Sequence, residues 1–421
     1  MAVMLVGCLD TKDQEYAFVR SLIVEQGVEV VLVDTGVLGA PAARDDALVP
    51  DVTASAVADA AGTSLETLRA RGDRGQALAT MAAGAKAVAE DLHGRGRLSG
   101  VLALGGSGGS SVAATVMQAL PVGLPKLLVS TMAAGDVSAY VGTSDVTLMY
   151  SVVDVAGVNS ISRQVLANAA AAISGMASEY DARRAAGAAP HAAPQDKPLV
   201  AATMFGVTTT AVDAARKRLE ELGYEVLVFH ATGSGGRTME ALVADGHLAG
   251  VLDLTTTEIA DEVGGGVLSA GPDRLGAAAK AGVPQVVSFG ALDMVNFGPR
   301  STVPERFEDR TLLVHNETVT LMRTSTAEAR EIGGVIGEKL AASTGPAALF
   351  VPRGGFSALD APDMPFWDPA ADAACVDAAL GAVDGSDVEV VDTELHVNDA
   401  EFAESLADHL HRLIKRGPHG S

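Results

Sequence analysis

The feature that most constrains this chain is a strand–helix rhythm that runs through the first 180 residues, breaks, and resumes near residue 199. Val3–Val6 reads as a buried strand, Cys8–Lys12 as a loop, Gln14–Glu25 as a helix and Val28–Val33 as a second strand. Gly100–Leu104 and Pro125–Val129 follow as strands, with helices over about Ser110–Leu120 and Asn159–Ser178. After the break, Leu199–Thr203, Glu225–Phe229, Gly250–Leu254 and Gln285–Phe289 read as strands, with a helix over Val212–Leu222. Short apolar runs spaced by helices need crossover connections, and those favour a parallel sheet covered on both faces. The matching order in the two halves suggests duplication of one βαβ unit. The expected fold class is therefore α/β: two tandem Rossmann-like domains with parallel sheets and an inter-domain cleft.

The break is a stretch rich in Ala and Pro, from Ala182 to Pro198, and it reads as a linker. The expected domains are residues 1–180 for nucleotide binding, a linker over 181–198, and a second domain over 199–416 with a substrate site. From about Thr311 the pattern adds a strand pair, a helix over Ala327–Ala342 and a closing helix over Ala400–Ile414. Gly417–Ser421 carries no structural pattern and reads as an appended remnant.

Composition narrows the partners. Hydrophobic residues make up 48% of the chain but aromatics only 4%, so Ala, Val and Leu must build the core. A formal charge of -23 with no dense basic patch argues against nucleic acid as a partner. No apolar run reaches the roughly 18 residues a membrane span needs, and no charged leader precedes the first strand. Cys8 and Cys375 stand alone, without disulfide or zinc spacing. The expectation is a cytoplasmic protein without membrane partners.

The strongest motif is Gly105-Gly106-Ser107-Gly108-Gly109-Ser110-Ser111, placed between a strand and a helix. Glycines let backbone amides approach a phosphate, and the helix N-terminus favours negative charge. The run lacks the Gly-Lys-Ser/Thr of a P-loop and the third glycine of the dinucleotide fingerprint. It does match G-x-S-x-G around Ser107, so a serine nucleophile is a competing reading. A first loop, Gly7 to Lys12, offers Asp10 for a metal, Thr11 as a hydroxyl and Lys12 as a phosphate partner. Asp10 or Thr11 capping a helix is the structural alternative. Asp34 ends the second strand, where a carboxylate can hold a ribose hydroxyl. Thr131 and Asp145 lie on two further loops.

In the second half, His230 to Arg237 contains Gly233, Gly235 and Gly236 and repeats the glycine-rich design. Thr208, Glu258, Asp293 and Asn296 fall at strand ends, and His315, Arg323 and Ser357 with Asp360 can join them. Together they form a candidate polar site for a small anionic metabolite.

These residues resemble the ATP-binding domain family named after the tomato protein that confers resistance to tomato mosaic virus, whose bacterial members form an uncharacterised protein family. The resemblance covers essentially the whole chain. It rests on Asp10-Thr11-Lys12 with Glu15, the Gly105–Gly109 loop, Pro125-Lys126, Ser130-Thr131, Tyr140-Val141-Gly142, Met149–Asp154 and Ser162-Arg163. In the second half it rests on His230–Arg237, His315-Asn316, Leu321–Thr324, His396 and Asn398-Asp399. The chain departs from that pattern at Cys8, Asp13 and Gly354. The resemblance implies ATP binding in the N-terminal domain and a homodimer or higher oligomer. It assigns nucleotide contacts to Gly7, Asp10, Thr11, Lys12, Gly105–Ser111, Thr131 and Asp145.

The resulting expectation is an ATP-binding protein that acts as a kinase- or ligase-type enzyme on a small anionic metabolite at the cleft. Lys12, Arg237, Glu258 and Asp293 are the expected catalytic residues, and Asp10 and Asp145 the expected Mg²⁺ ligands. The alternatives are a non-catalytic ATP-binding regulatory or inhibitory module and a serine hydrolase using Ser107.

Overall fold

The computed structural model describes residues 1–39, 48–186 and 197–416. Two compact units divide the chain, Met1–Pro194 and Gln195–Ser421. Most of the linker and all of Gly417–Ser421 lie outside the described residues.

The first unit contains β1 (Ala2–Gly7), α1 (Leu9–Glu25), β2 (Glu29–Asp34), α2 (Ala54–Ala60), α3 (Leu65–Arg71) and α4 (Arg74–Gly94). It continues with β3 (Leu98–Gly105), α5 (Ser107–Gln118), β4 (Lys126–Ser130), α6 (Ser138–Val141), β5 (Thr147–Tyr150) and α7 (Ser160–Ala185). Its five strands are ordered β2-β1-β3-β4-β5, and every pair is parallel. A sheet covered on both faces needs continuous apolar strands, and β1 is buried along its whole length. Ala2, Met4 and Val6 pack with α2, α4 and α5, while Val3 and Leu5 pack with α1 and α7. Side chains also start the helices: Asp73 caps α4, and Asn159 forms a capping box with Ser162 on α7.

The second unit contains β6 (Leu199–Met204), α8 (Thr209–Glu221), β7 (Glu225–His230), α9 (Ser234–Ala244), β8 (Gly250–Thr255), α10 (Thr257–Gly264), α11 (Ala277–Ala281) and β9 (Gln285–Gly290). After these come β10 (Met294–Phe297), β11 (Leu312–Asn316), β12 (Val319–Arg323), α12 (Thr326–Ala341), β13 (Ala347–Pro352), α13 (Pro369–Val383), β14 (Glu389–Thr393) and α14 (Ala400–Arg416). The main sheet is all parallel, in the order β14-β13-β9-β8-β6-β7. Counted within its own unit this is 2-1-3-4-5-6, so both units share the 2-1-3-4-5 winding and are tandem Rossmann-like folds. A separate antiparallel sheet, β10-β12-β11, belongs to the second unit.

Several elements differ from the sequence reading. The helix ending the first unit runs to Ala185, past the expected linker start. α5 begins at Ser107, so Gly108 and Gly109 form its first turn and are not part of a preceding loop. Helices α2–α4 and strands β5, β10, β13 and β14 were not expected. β5 and β14 are edge strands without a fully buried run, which leaves them a weak apolar signal.

Candidate functional site

In a 2-1-3-4-5 sheet, the first and third strands send their helices to opposite faces and leave a crevice at their C-terminal ends. In the first unit this point lies between β1 and β3, and Tyr16 fills it. Its buried hydroxyl donates to the Val6 carbonyl at 2.6 Å and accepts from the Leu104 amide at 2.9 Å. It therefore replaces a rung of the ladder where the strands diverge. Burial raises the Tyr16 pKa well above the ordinary phenol value, so the hydroxyl stays protonated. A Cβ at Gly7 would overlap this hydroxyl, so Gly7 is required by Tyr16 and not by a phosphate.

The remaining first-loop residues are also engaged. Asp34 is buried, and its Oδ1 accepts from the amides of Leu9 at 3.0 Å and Gly36 at 2.8 Å. It caps the start of α1. Burial, partly offset by those two amides, raises its pKa. Asp10 accepts from the Leu38 amide at 2.9 Å. The Thr11 hydroxyl donates weakly to the Cys8 carbonyl at 3.4 Å. Lys12, at a kink in α1, donates to the Val155 carbonyl, and Glu15 accepts from the Gly157 amide. These two side chains anchor the loop after β5. In that loop Val152 holds a φ of 66°, which a β-branched residue rarely adopts, and its side chain is exposed.

The glycine turn of α5 remains open. Gly106 is the N-cap and supplies no side-chain acceptor, so the amides of the first turn lack the partner that capped helices have. A Cβ at Gly106 would meet only the Thr131 hydroxyl, at 3.6 Å. Gly105 is needed for close packing, since a Cβ there would lie 3.0 Å from the Gly109 Cα. Ser107 is exposed, whereas Ser110 is buried and bonds to the Ser130 hydroxyl at 2.6 Å. Ser111 is exposed and Thr131 half-buried beside the turn, its amide bonded to the Gly105 carbonyl at 3.2 Å. Ser107, Gly108, Gly109 and Thr131 are thus brought together with Gly106.

Asp145 is not among them. It precedes β5 and pairs with Lys126, the first residue of β4, at 2.5 Å, while accepting from the Gly123 amide at 2.7 Å. Both strands run parallel, so this pair lies at the N-terminal edge of the sheet, opposite the glycine turn. The expected nucleotide and Mg²⁺ roles of Asp145 are corrected accordingly. Among the described residues no group of three His, Cys, Asp or Glu is placed to hold a metal ion. His93 sits in the last turn of α4, at that same far edge, so no described histidine of the first unit faces Ser107.

The second unit places its glycine turn differently. Gly233–Arg237 opens α9, which follows the unit's second strand, whereas α5 follows a third strand. The turn is occupied by Glu258, from the first turn of α10. This fully buried carboxylate accepts from the amides of Gly233 at 2.6 Å and Gly236 at 3.0 Å. A Cβ at Gly236 would overlap it, and a Cβ at Gly235 would overlap the His230 carbonyl. Glu258 also pairs with buried Arg274 at 2.7 Å. Arg274 grips Asp253 through two bonds of 2.5 and 2.6 Å and approaches Glu240 at 3.3 Å. Neither Asp253 nor Arg274 was expected from the sequence, because an arginine in the turn before α11 carries no motif. Glu258, Gly233, Gly235 and Gly236 are corrected from substrate contacts to this internal network.

Other expected residues are similarly engaged. Thr208 bonds to Thr255 at 2.7 Å across the β6–β8 divergence. The Asn296 amide nitrogens donate to Asp261, whose pKa burial pushes up to about 7. Asp293 accepts from Ser357 at 2.8 Å, and Arg323 binds Asp372 at 2.5 Å beside it. His230 stacks on Phe205 with centroids 5.5 Å apart and is exposed. Arg237 is exposed and donates to the Ser269 carbonyl at 3.0 Å. His315 is exposed on β11, and nothing brings it to Glu258. No described helix is long and apolar enough to cross a membrane.

Comparison with known proteins places the chain. The model described as the N-terminal domain of the Uncharacterised protein family UPF0261 matches residues 1–182, and the C-terminal domain model matches residues 197–414. A UPF0261 protein of Clostridium tetani is 47% identical over 98% of this chain and 99% of its own length. One from Rhizobium meliloti is 44% identical over 96% of each chain. The ToMV resistance protein Tm-1 of Solanum lycopersicum is 40% identical over 99% of this chain, which spans 56% of that protein. With both halves matched in order, the chain belongs to the UPF0261 family.

Proposed function

We propose that this protein binds ATP through the first unit, with the phosphates on the N-terminal turn of α5. One contrast carries the reading. The glycine turn of α9 holds an anion of the protein's own, the Glu258 carboxylate, whereas no side chain among the described residues caps the turn of α5. By analogy, the turn of α5 would receive its anion from a ligand. Thr131 stands beside Gly106 as a further hydroxyl, and the resemblance to a tomato ATP-binding domain family supports the nucleotide. Asp10, in the first turn of α1 after the neighbouring strand β1, would assist Mg²⁺, with the phosphate oxygens as the metal's chief ligands.

The same observations favour binding over turnover. The side chains expected to serve a metabolite, Glu258, Asp293, Arg323, Thr208 and Asn296, are buried and bonded to Arg274, Ser357, Asp372, Thr255 and Asp261 respectively. We therefore read the protein as a nucleotide-occupied binding module, soluble in the cytoplasm and self-associating, with ATP stabilising the state that recognises its partner.

Calorimetric titration with ATP, with and without Mg²⁺, tests this, with Gly106→Asp as the control. The added carboxylate would stand where phosphate is bound, and repulsion should weaken binding more than tenfold, equivalent to about 1.4 kcal/mol or more. Equal binding by both proteins would remove α5 from the site. No binding to the native protein would sink the reading. Steady ATP consumption with any small acid would restore the enzymatic alternative.

A further inference from the structure

In the second unit, the segment 353–368 between β13 and α13 crosses the C-terminal ends of several strands. It bonds to the loop after β6 through the Ala358 amide on the Val207 carbonyl at 3.0 Å. It meets the loop after β9 through Ser357 on Asp293, and the loop after β14 through His396 on the Ser357 carbonyl at 2.9 Å. The strap thus ties together the loops at the C-terminal ends of β6, β9 and β14.

Beneath the strap lies an unbalanced charge cluster. Asp293 comes from the loop after β9, Asp360 from the strap, and Asp372 from α13. All three are buried around one cation, Arg323 of β12. Arg323 binds Asp372 at 2.5 Å, stands 3.9 Å from Asp360, and donates to the carbonyl of Phe366 on the strap at 2.6 Å. Asp360 accepts from the Phe356 amide at 2.8 Å. Asp293 Oδ1 and Asp360 Oδ1 are buried without any hydrogen-bond donor. Three carboxylates against one guanidinium leave two uncompensated charges, and burying each costs several kcal/mol. Protons supply the missing donors.

We propose that this cluster is a proton latch, which holds the strap closed while protonated and loosens it as the protons leave. Burial and the neighbouring carboxylate of Asp360 push Asp293 up to about 7 and Asp372 up to about 8, against the pull of Arg323. The other groups facing the cluster are His396, whose positive form would favour ionised Asp360, and Cys375, a thiol that burial keeps neutral. In an opened strap the carboxyls regain ordinary values near 3.8. The closed state then binds more protons than the open state from about pH 4 up to the raised values, so closure weakens as pH rises through that window and levels off above about pH 8.

Hydrogen exchange of the full chain between pH 5 and 9, corrected for intrinsic exchange rates, tests the latch at the amides of Phe356, Leu359 and Phe366. The opening constant should rise about tenfold per pH unit for each proton released, from pH 5 through the raised values, and flatten above about pH 8. Asp293→Asn and Asp372→Asn, which keep shape but cannot ionise, should each reduce the slope, and together they should remove it. Two separate variants guard against one failing to fold. A strap whose opening is independent of pH, or one that keeps its slope in the double variant, would overturn the proposal.

Discussion

Replacing Glu258 by Ala probes the idea that a glycine turn in this protein is an anion seat. The carboxylate accepts two backbone amides and pairs with a guanidinium that is almost wholly enclosed. Its loss leaves the Gly233 and Gly236 amides unsatisfied, at about 1–3 kcal/mol each when water cannot reach them. Arg274 keeps its two-pronged grip on Asp253, so its charge is not stranded. That limits the damage, and we expect a net loss of about 3–5 kcal/mol, within the range for breaking a buried pair. For a unit of this size that corresponds to about 8–15 °C in the unfolding midpoint. The assay is thermal and urea unfolding, repeated with added acetate. Acetate fits the space left by the deleted carboxylate, and at a hundred times its dissociation constant it should return about 2.7 kcal/mol to the variant. The native protein should gain much less. In addition, Gly236→Ala should cost several kcal/mol in the native background but much less in Glu258→Ala, because the new methyl occupies the vacated space. A loss below about 1 kcal/mol would refute the reasoning. So would an identical acetate response in the two proteins.

The first unit offers two further tests. Tyr16→Phe removes the hydroxyl that bridges β1 and β3 and should cost about 1–3 kcal/mol of stability in urea unfolding. Gly7→Ala should be at least as damaging, through overlap with that hydroxyl, and the pair should couple in a double-mutant cycle. Asp145→Ala should cost about 1–3 kcal/mol, since it strips a partner from buried Lys126 but is itself 40% exposed in its side chain. It should leave the ATP affinity within twofold in calorimetry, and a tenfold loss would return Asp145 to the nucleotide site.

The fold was legible because parallel sheets buried on both faces write themselves as apolar runs, as in Val3–Val6 and Gln285–Phe289. The sheet order was not, since the sequence of β5 or β14 says little about which edge it occupies. The glycine turn of α5 was legible as a strand-to-helix turn for a local reason: strand, glycines and helix are contiguous. The fate of its counterpart was not. Glu258 lies 22 residues beyond Gly236, and Arg274 a further 16, so their meeting depends on crossover geometry. Asp145 failed in the same way, because a carboxylate before a strand and one after it look alike in sequence yet sit at opposite edges.

The duplication makes this difference instructive. Position for position, the counterpart of the α5 turn is the start of α10, which carries Thr256-Thr257-Glu258 where the first unit carries glycines. A glutamate there reaches sideways to the neighbouring helix start and supplies internally the negative charge that an external ligand would bring. The consequence is a division of labour between two similar frameworks. In the second unit the start of α9 is satisfied from within, by Glu258, and the β6–β8 divergence is bridged by the Thr208–Thr255 bond. In the first unit Tyr16 fills the β1–β3 divergence and side chains cap α2, α3, α4 and α7, while the start of α5 has no side-chain cap. An uncapped glycine turn sacrifices stability, both in backbone entropy and in unsatisfied amides.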